Sequence, residues 1–283
     1  MNDEALKQAV GMLRSAKKAI VFSGAGVSTE SGIPDFRGRE GLWARYDPAE
    51  FATLSAFMRN PERVWGMLAE LDGLMDSRPN AGHRALAELE ADGALVGVIT
   101  QNIDGLHQAA GSQNVVEFHG SGRSFTCLGC GRGFSRQEVE HMPRPGPHPM
   151  PIPADCSLDA KAGQSVEGQG VTEGMEYTGE SDPGRAPRCI LKPDFVFFDE
   201  MIPLPAQAGA EALVTGADLV LVAGTSCEVW PAAGIPEQVR RNGGRVIELN
   251  LEPAPGLNAD VTLKGLFSQT AVALYEGWLG SDG

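Results

Sequence analysis

The chain has 283 residues, 42% of them hydrophobic, and a formal net charge of -14. That suits a packed domain with a smaller module, and argues against wholesale disorder and against a basic nucleic-acid-binding face. No apolar run approaches the ~18–20 residues of a membrane span, and Met1-Asn2-Asp3-Glu4 lacks the start of a secretion signal, so a cytoplasmic protein is expected. The five cysteines then point to metal or redox chemistry rather than to disulfides.

In chain order, Leu6, Val10 and Leu13 share a face of a first helix, and Ala19–Phe22 reads as a buried strand. Directly after it comes Gly24-Ala25-Gly26-Val27-Ser28-Thr29-Glu30-Ser31-Gly32-Ile33-Pro34-Asp35-Phe36-Arg37-Gly38. Two glycines one residue apart at a strand's carboxyl end let the backbone approach a phosphate and bind it through N–H groups. The dinucleotide fingerprint is incomplete, because Thr29 stands where a third glycine or alanine belongs. About 20 residues on, the only acids are Asp47, beside Pro48, and Glu50, so no strand ends in a ribose-binding acid. This disfavours a dehydrogenase and retains a phosphate-bearing ligand. Pro34 and the flanking glycines make the continuation a loop that carries an aromatic, an acid and an arginine.

Residues 39–78 read as mostly helical, with Pro61 in a first turn and Val64, Leu68, Leu71 and Met75 on one face. Asn80 is placed to cap a further helix running through His83 to Leu89. More strands are predicted at Leu95–Thr100, Val115–Phe118, Phe195–Phe198, Leu219–Ala223 and Val246–Asn250. Their alternation with helices implies a doubly wound, parallel α/β sheet with ligands at the carboxyl ends of its strands. Residues 121–193 break the pattern. Alternate prolines from Pro143 to Pro153 favour an extended strut. From Asp155 to Asp182 there are seven acids, one base (Lys161) and five glycines, which reads as a mobile surface insertion.

Polar residues collect where these strands end. Thr100 is followed by Gln101-Asn102-Ile103-Asp104-Gly105-Leu106-His107, and Phe118 by His119-Gly120. A neutral imidazole at His119 suits a general base. Gly224-Thr225-Ser226 suits phosphate or ribose, and Asn250-Leu251-Glu252 suits ribose hydroxyls. Each alone is ordinary turn chemistry; four on one sheet edge suit an extended ligand such as a dinucleotide.

These segments, with Cys127-Leu128-Gly129-Cys130 and Lys192-Pro193-Asp194 through Phe197-Phe198, resemble the sirtuin (Sir2-like) family of NAD-dependent protein deacylases, prokaryotic type. The order is kept over nearly the whole chain. The resemblance implies a single catalytic domain over 1–283. Its Rossmann-like core would comprise 1–38, 79–120 and 194–283. A small module would combine a helical insertion, 39–78, with a zinc-binding insertion, 121–193, holding a mobile loop at about 143–187. NAD would be a consumed substrate: the acyl oxygen of an acetylated lysine displaces nicotinamide, and the acetyl group ends on ADP-ribose. On that pattern His119 is the base, Asn102 orients the ribose and a water, and Ile33 and Asp104 hold the carboxamide. Phe36 and Arg37 shield the reacting ribose. Gly24, Ala25, Gly26, Ser28, Asp35, Gln101, Ile103, Gly224, Thr225, Ser226, Asn250 and Glu252 complete the NAD site. An acetyl-lysine peptide would add as a strand between Phe197-Phe198 and Glu228-Val229-Trp230-Pro231. Trp230 reads equally well as a groove wall or as a core residue.

The chain departs from the family in three places. The second C-x-x-C pair is missing: Cys156 and Cys189 are separated by thirty-two residues. Zinc through Cys127, Cys130, Cys156 and Cys189 remains the expectation, with His141 and His148 as substitutes for Cys156, because ligands need proximity in space only. Cys227 reads as a small buried residue. Asp199 stands where the family usually has glycine, with consequences for the peptide path or for basic peptides. The helix from Pro61 offers Leu68 and Leu71 where members preferring acidic acyl groups carry a Tyr-x-x-Arg pair, which favours an apolar acyl group. ADP-ribosyl transfer, NAD hydrolysis and an NAD-sensing module are the competing readings.

Overall fold

The computed structural model describes residues 2–35, 41–71, 77–142 and 190–280. The expectations for Phe36, Arg37, Met75, the proline strut, the acidic insertion, His148, Cys156 and Cys189 lie outside the described residues.

Nine strands run through the described residues: β1 (Ala19–Ser23), β2 (Val98–Thr100), β3 (Val115–Glu117), β4 (Gly120–Cys127), β5 (Gly133–Ser135), β6 (Leu191–Phe195), β7 (Leu219–Ala223), β8 (Arg245–Asn250) and β9 (Val261–Lys264). Six form a parallel sheet ordered β3-β2-β1-β7-β8-β9, with β1 and β7 buried throughout. The helices are α1 (Asp3–Ser15), α2 (Pro48–Phe51), α3 (Leu54–Arg59), α4 (Pro61–Leu71), α5 (Ala81–Ala91), α6 (Leu106–Ala110), α7 (Arg136–Glu140), α8 (Leu204–Val214), α9 (Gly234–Arg241) and α10 (Phe267–Leu279). None of them is long and apolar enough to cross a membrane.

Successive strand residues face opposite layers, as the two-residue pleat requires. Val21, Leu221 and Ile247 pack with Leu13 of α1, Leu86 of α5 and Leu274 of α10. Ile20, Phe22, Val220 and Val246 pack with Leu213 of α8 and Val239 of α9. The sheet is thus covered on both faces, the doubly wound, Rossmann-like arrangement the sequence predicts. Asn80 caps α5 as expected, accepting from the Gly82 and His83 amides at 2.9 and 3.3 Å.

Two strand assignments are corrected. Phe195–Phe198 is not a strand of the parallel sheet. β6 ends at Phe195 and pairs antiparallel with β4, in a small sheet ordered β5-β4-β6. Phe197 is buried there with Phe57 and Trp65, in the core of a small module. A short apolar run looks the same in a central sheet and in a satellite core. β9, which closes the main sheet beside β8, has no counterpart among the predicted strands. In the small module the Trp65 Nε1–H donates to the Leu191 carbonyl at 2.9 Å and its ring stacks on Phe125. That pair joins α4 to the small sheet.

At the carboxyl end of β1 the chain enters a 3-10 helix, Ala25–Ser31, instead of a loop alone. The turn before it touches the turn after β7. The Gly24 N–H donates to Ala223 O at 3.0 Å and the Gly26 N–H to Gly224 O at 2.8 Å. A Cβ on Gly26 would lie 2.8 Å from the Gly224 Cα. A Cβ on Gly224, at φ +57, would lie 2.3 Å from the Val27 nitrogen. Gly224→Ala therefore meets backbone that cannot yield, and is expected to cost about 3 kcal/mol and roughly 6–12 °C in Tm. Gly216→Ala, at φ +73 in open space, carries the conformational strain alone and is expected to cost only about 1 kcal/mol. Equal thermal melts for the two variants would contradict the contact.

Behind this turn, His83 of α5 and His107 of α6 lie edge to face with centroids 4.9 Å apart, both buried. Burial holds the His83 pKa at about 3 and the His107 pKa at about 4. In the unfolded chain each titrates near ~6.5. Below that pH the unfolded state takes up protons that the folded state refuses, so stability is full above it and falls as pH drops toward 4. Two such protons add a slope of up to about 2.7 kcal/mol per pH unit. Urea unfolding between pH 7 and pH 4.5 should show the decline, and His83→Gln should flatten it.

Candidate active site

The carboxyl edge of the parallel sheet carries the polar residues in an interlocked set. After β2, the Asn102 N–H is held by Thr100 Oγ1 at 3.1 Å and the Leu106 N–H by Asp104 Oδ1 at 2.9 Å. These fix a turn that aims Asn102 and Asp104 at the end of β1. There the Asn102 side-chain amide donates to Ser28 Oγ at 3.1 Å, and Ser28 Oγ donates to Asp104 Oδ2 at 2.7 Å. Ser28 and Asn102 are both buried. Asn80 braces the same helix from below, donating to Val27 O at 2.8 Å and Ser31 Oγ at 3.1 Å.

His119 follows β3. Its Nδ1 lies 3.2 Å from the Gln101 carbonyl oxygen. A carbonyl only accepts, so Nδ1 carries the proton and Nε2 keeps its lone pair. Burial pushes the His119 pKa below the ordinary histidine value, against the opposing pull of the Gln101 hydrogen bond. The ring is therefore neutral near pH 7, in the tautomer a general base requires.

Gln101 also ties two strand ends together, its amide donating to Thr225 Oγ1 at 3.0 Å. Thr225 and Asn250 bond reciprocally: the Thr225 N–H donates to Asn250 Oδ1 at 3.2 Å, and Asn250 Nδ2 donates to Thr225 O at 3.0 Å. Below them lies the buried carboxylate of Glu248, which accepts from Asn250 Nδ2, the Ala254 N–H and Thr262 Oγ1 at 2.9, 2.6 and 2.9 Å. Glu248 was not among the expected site residues. Its signal was present as an acid inside the otherwise apolar run Val246–Leu249.

A cavity of about 820 Å3 runs along this edge and into the small module. Every expected NAD-site residue among the described ones lines it, from Gly24, Ala25 and Gly26 through Ile33 and Asp35 to Ile103, Ser226 and Glu252. His119, Asn102, Phe197, Phe198, Val229 and Trp230 line the same space. Trp230 is 72% exposed, so the core reading of it fails. Met67 and Leu68 of α4 bring apolar side chains to the lining, and the side chain of Leu71 lies outside the described residues. Glu30 and Trp65 also line the cavity, without any sequence signal pointing to them. Glu30 caps α10, accepting from the Ser268 N–H at 2.8 Å.

Away from the cavity, the turn after β4 brings Cys127 and Cys130 together. The Cys127 N–H donates to Arg132 O at 2.9 Å and the Gly131 N–H to Cys127 O at 2.8 Å. The Gly129 and Cys130 amides point at the Cys127 sulfur, opposing the burial that raises its pKa. Such a turn suits a thiolate pair on one metal ion. No cluster of three metal-ligating side chains occurs among the described residues, where two of the four expected cysteines are missing. His141 bonds the Gln137 carbonyl through Nδ1 at 2.7 Å. Cys227 is half-buried at φ +54, its thiol pKa raised by burial to about 11.

Known proteins share this sequence pattern and fold. Residues 24–231 match the model of the Sir2 family. The NAD-dependent protein deacylase 2 of Pyrobaculum aerophilum is 39% identical over 268 residues, covering 94% of this chain and 92% of that protein. The NAD-dependent protein deacetylase of Sulfolobus acidocaldarius is 38% identical over 257 residues, covering 89% and 86%. A solved Sir2 homolog–NAD complex superposes with a TM-score of 0.77 at 36% identity, over 99% of this chain and 94% of that one. A Sir2 protein with a deacetylated peptide and 3'-O-acetyl-ADP-ribose gives 0.79 at 29% identity, over 96% and 97%. On this evidence the chain belongs to the Sir2 family.

Proposed function

We propose that this chain is a cytoplasmic NAD-dependent protein-lysine deacetylase that transfers the acetyl group to ADP-ribose and releases nicotinamide. One observation carries the reading. A neutral His119 with a free Nε2 lines the same cavity as the glycine turns, the Asn102–Ser28–Asp104 chain and the Phe197-Phe198 edge. Dinucleotide and acyl-lysine thus meet in one enclosure. A redox dehydrogenase has no use for a peptide edge beside its cofactor. The relatives named as deacylases and deacetylases support the same assignment.

In this reading the Gly24–Gly26 turn and Gly224-Thr225-Ser226 hold the phosphates through main-chain N–H groups. Asn250 and Glu252 take the ribose hydroxyls at the adenosine end. Ile33 and Asp104 hold the nicotinamide carboxamide, Asp35 and Ile103 complete the NAD site beside them, and Gln101 braces the turn. Asn102 orients the reacting ribose and a water. The acyl oxygen attacks the ribose carbon as nicotinamide leaves, and His119 removes a proton from a ribose hydroxyl. Phe36 and Arg37 are assigned to a cover that keeps bulk water out, because an exposed reacting ribose would hydrolyse. The peptide adds as a strand between Phe197-Phe198 and Val229-Trp230. Met67 and Leu68 offer no cation for an acidic acyl group.

Cys127 and Cys130, with Cys156 and Cys189, are assigned to one zinc ion that holds the insertion together and stands outside the chemistry. Core segments 1–38, 79–120 and 194–283 and insertions 39–78 and 121–193 are assigned as one catalytic domain.

With NAD and an acetyl-lysine peptide, mass spectrometry should find O-acetyl-ADP-ribose and the deacetylated peptide, with a succinylated peptide turned over far more slowly. His119→Ala should lower kcat by about 10²- to 10⁴-fold. The neutral ring is the active form and its pKa is lowered, so the acid limb of kcat should fall below ~6.5. An active alanine variant would remove His119 from the mechanism. Metal analysis should find stoichiometric zinc, lost in Cys127→Ser; a zinc-free active enzyme would remove the metal.

A further inference from the structure

Asp199 follows Phe197-Phe198 with φ +61, the left-handed region that residues other than glycine seldom occupy. Its side chain offsets that strain. Oδ1 accepts the Leu54 N–H at 2.6 Å and Oδ2 the Ser55 N–H at 3.4 Å, so the carboxylate sits on the first turn of α3. Thr53 Oγ1 takes the next amide, that of Ala56, at 3.1 Å. The main chain docks at the same place: the Phe198 N–H donates to Ala52 O at 2.8 Å, and Phe198 O shares the Leu54 N–H at 2.9 Å.

The other side of the segment is held as firmly. Lys192, only 8% exposed, donates to Pro193 O and Phe195 O and pairs with Glu200 at 3.0 Å. Glu200 Oε2 accepts the Phe197 N–H at 2.9 Å. The run from Lys192 to Glu200 is thus closed on itself by an ion pair between buried Lys192 and half-buried Glu200, and Asp199 is its tie to the helical part of the small module.

We propose that Asp199 is a positioning residue for the acyl-lysine peptide. By docking the Phe197-Phe198 segment on α3, it fixes the width of the cleft in which the peptide lies and the wall that Phe197 and Phe198 present to it. The inference rests on the deacylase reading of that cleft. Its carboxylate accepts from the Leu54 and Ser55 amides, which favours the first of the two consequences the sequence left open, an effect on the peptide path, over recognition of basic residues.

Asp199→Gly relaxes the backbone and removes the carboxylate, while Asp199→Asn keeps an acceptor oxygen and tolerates the same φ. Binding of a fluorescently labelled acetyl-lysine peptide, read by anisotropy, should weaken roughly three- to ten-fold in D199G and recover in D199N. The KM for NAD should stay within about two-fold in both, a split that general destabilisation would not produce. Hydrogen exchange at the Leu54 and Ser55 amides should quicken in D199G and not in D199N. Equal peptide Kd values in all three proteins would overturn the proposal, as would equal losses for NAD. A loss confined to peptides with Lys or Arg beside the acyl-lysine would overturn it in favour of direct charge recognition. Wild type that binds peptide without consuming NAD would overturn the deacylase reading, with the Kd ratio still deciding the role of Asp199. Wild type that binds no peptide would overturn both.

Discussion

The site depends on one close approach, the glycine turn after β1 lying backbone against backbone on the glycine turn after β7. These two strands are neighbours at the point where the chain's crossovers reverse direction, with β2 and β3 on one side and β8 and β9 on the other. A crevice opens at such a point because the connections leave in opposite directions. Side chains at Gly24, Gly26 or Gly224 would force the turns apart. The polar links that decorate them, Gln101 to Thr225 and Thr225 to Asn250, contribute about 1 kcal/mol each. Steric exclusion of a Cβ is the stronger constraint, and the hydrogen bonds follow from it.

The small module turns this crevice into an enclosure. Trp65 bonds the Leu191 carbonyl and Phe57 packs on Phe197, so α3 and α4 are fastened to the segment that carries the peptide edge. The chemistry needs this closure. On the proposed mechanism a reacting ribose must meet the acyl oxygen before it meets water, and His119 must stay neutral. Burial serves both ends at once: it excludes solvent, and it disfavours the charged form of the imidazole. The buried pair of His83 and His107 shows the same effect without a catalytic role, and makes the scaffold sensitive to acid.

Much of the site was legible because strand ends are marked by abrupt changes in residue type. Apolar runs give way to Gly24, Gln101-Asn102, His119 and Gly224-Thr225, and all of these line one cavity. The cap at Asn80 was legible for a similar local reason. What escaped was decided by tertiary contacts. Phe195–Phe198 has the composition of a central strand, and only its pairing with β4 and the burial of Phe197 against Phe57 show otherwise. β9 is four residues long, and although Val261-Thr262-Leu263-Lys264 alternates apolar and polar, so short a run does not stand out from a loop. Asp199 stood out as an unusual residue, but its partners Leu54 and Ser55 lie some 145 positions away. Glu248 looked like a strand residue until three donors converged on it.

The central claim is that NAD and the acyl-lysine react within one enclosure, so that neither is consumed alone. The direct measurement is nicotinamide released against lysine deacetylated, with and without peptide. The account predicts equal amounts of the two products with peptide, and almost no nicotinamide in its absence. Nicotinamide release at full rate without peptide would contradict it, and would make the enzyme an NAD hydrolase instead.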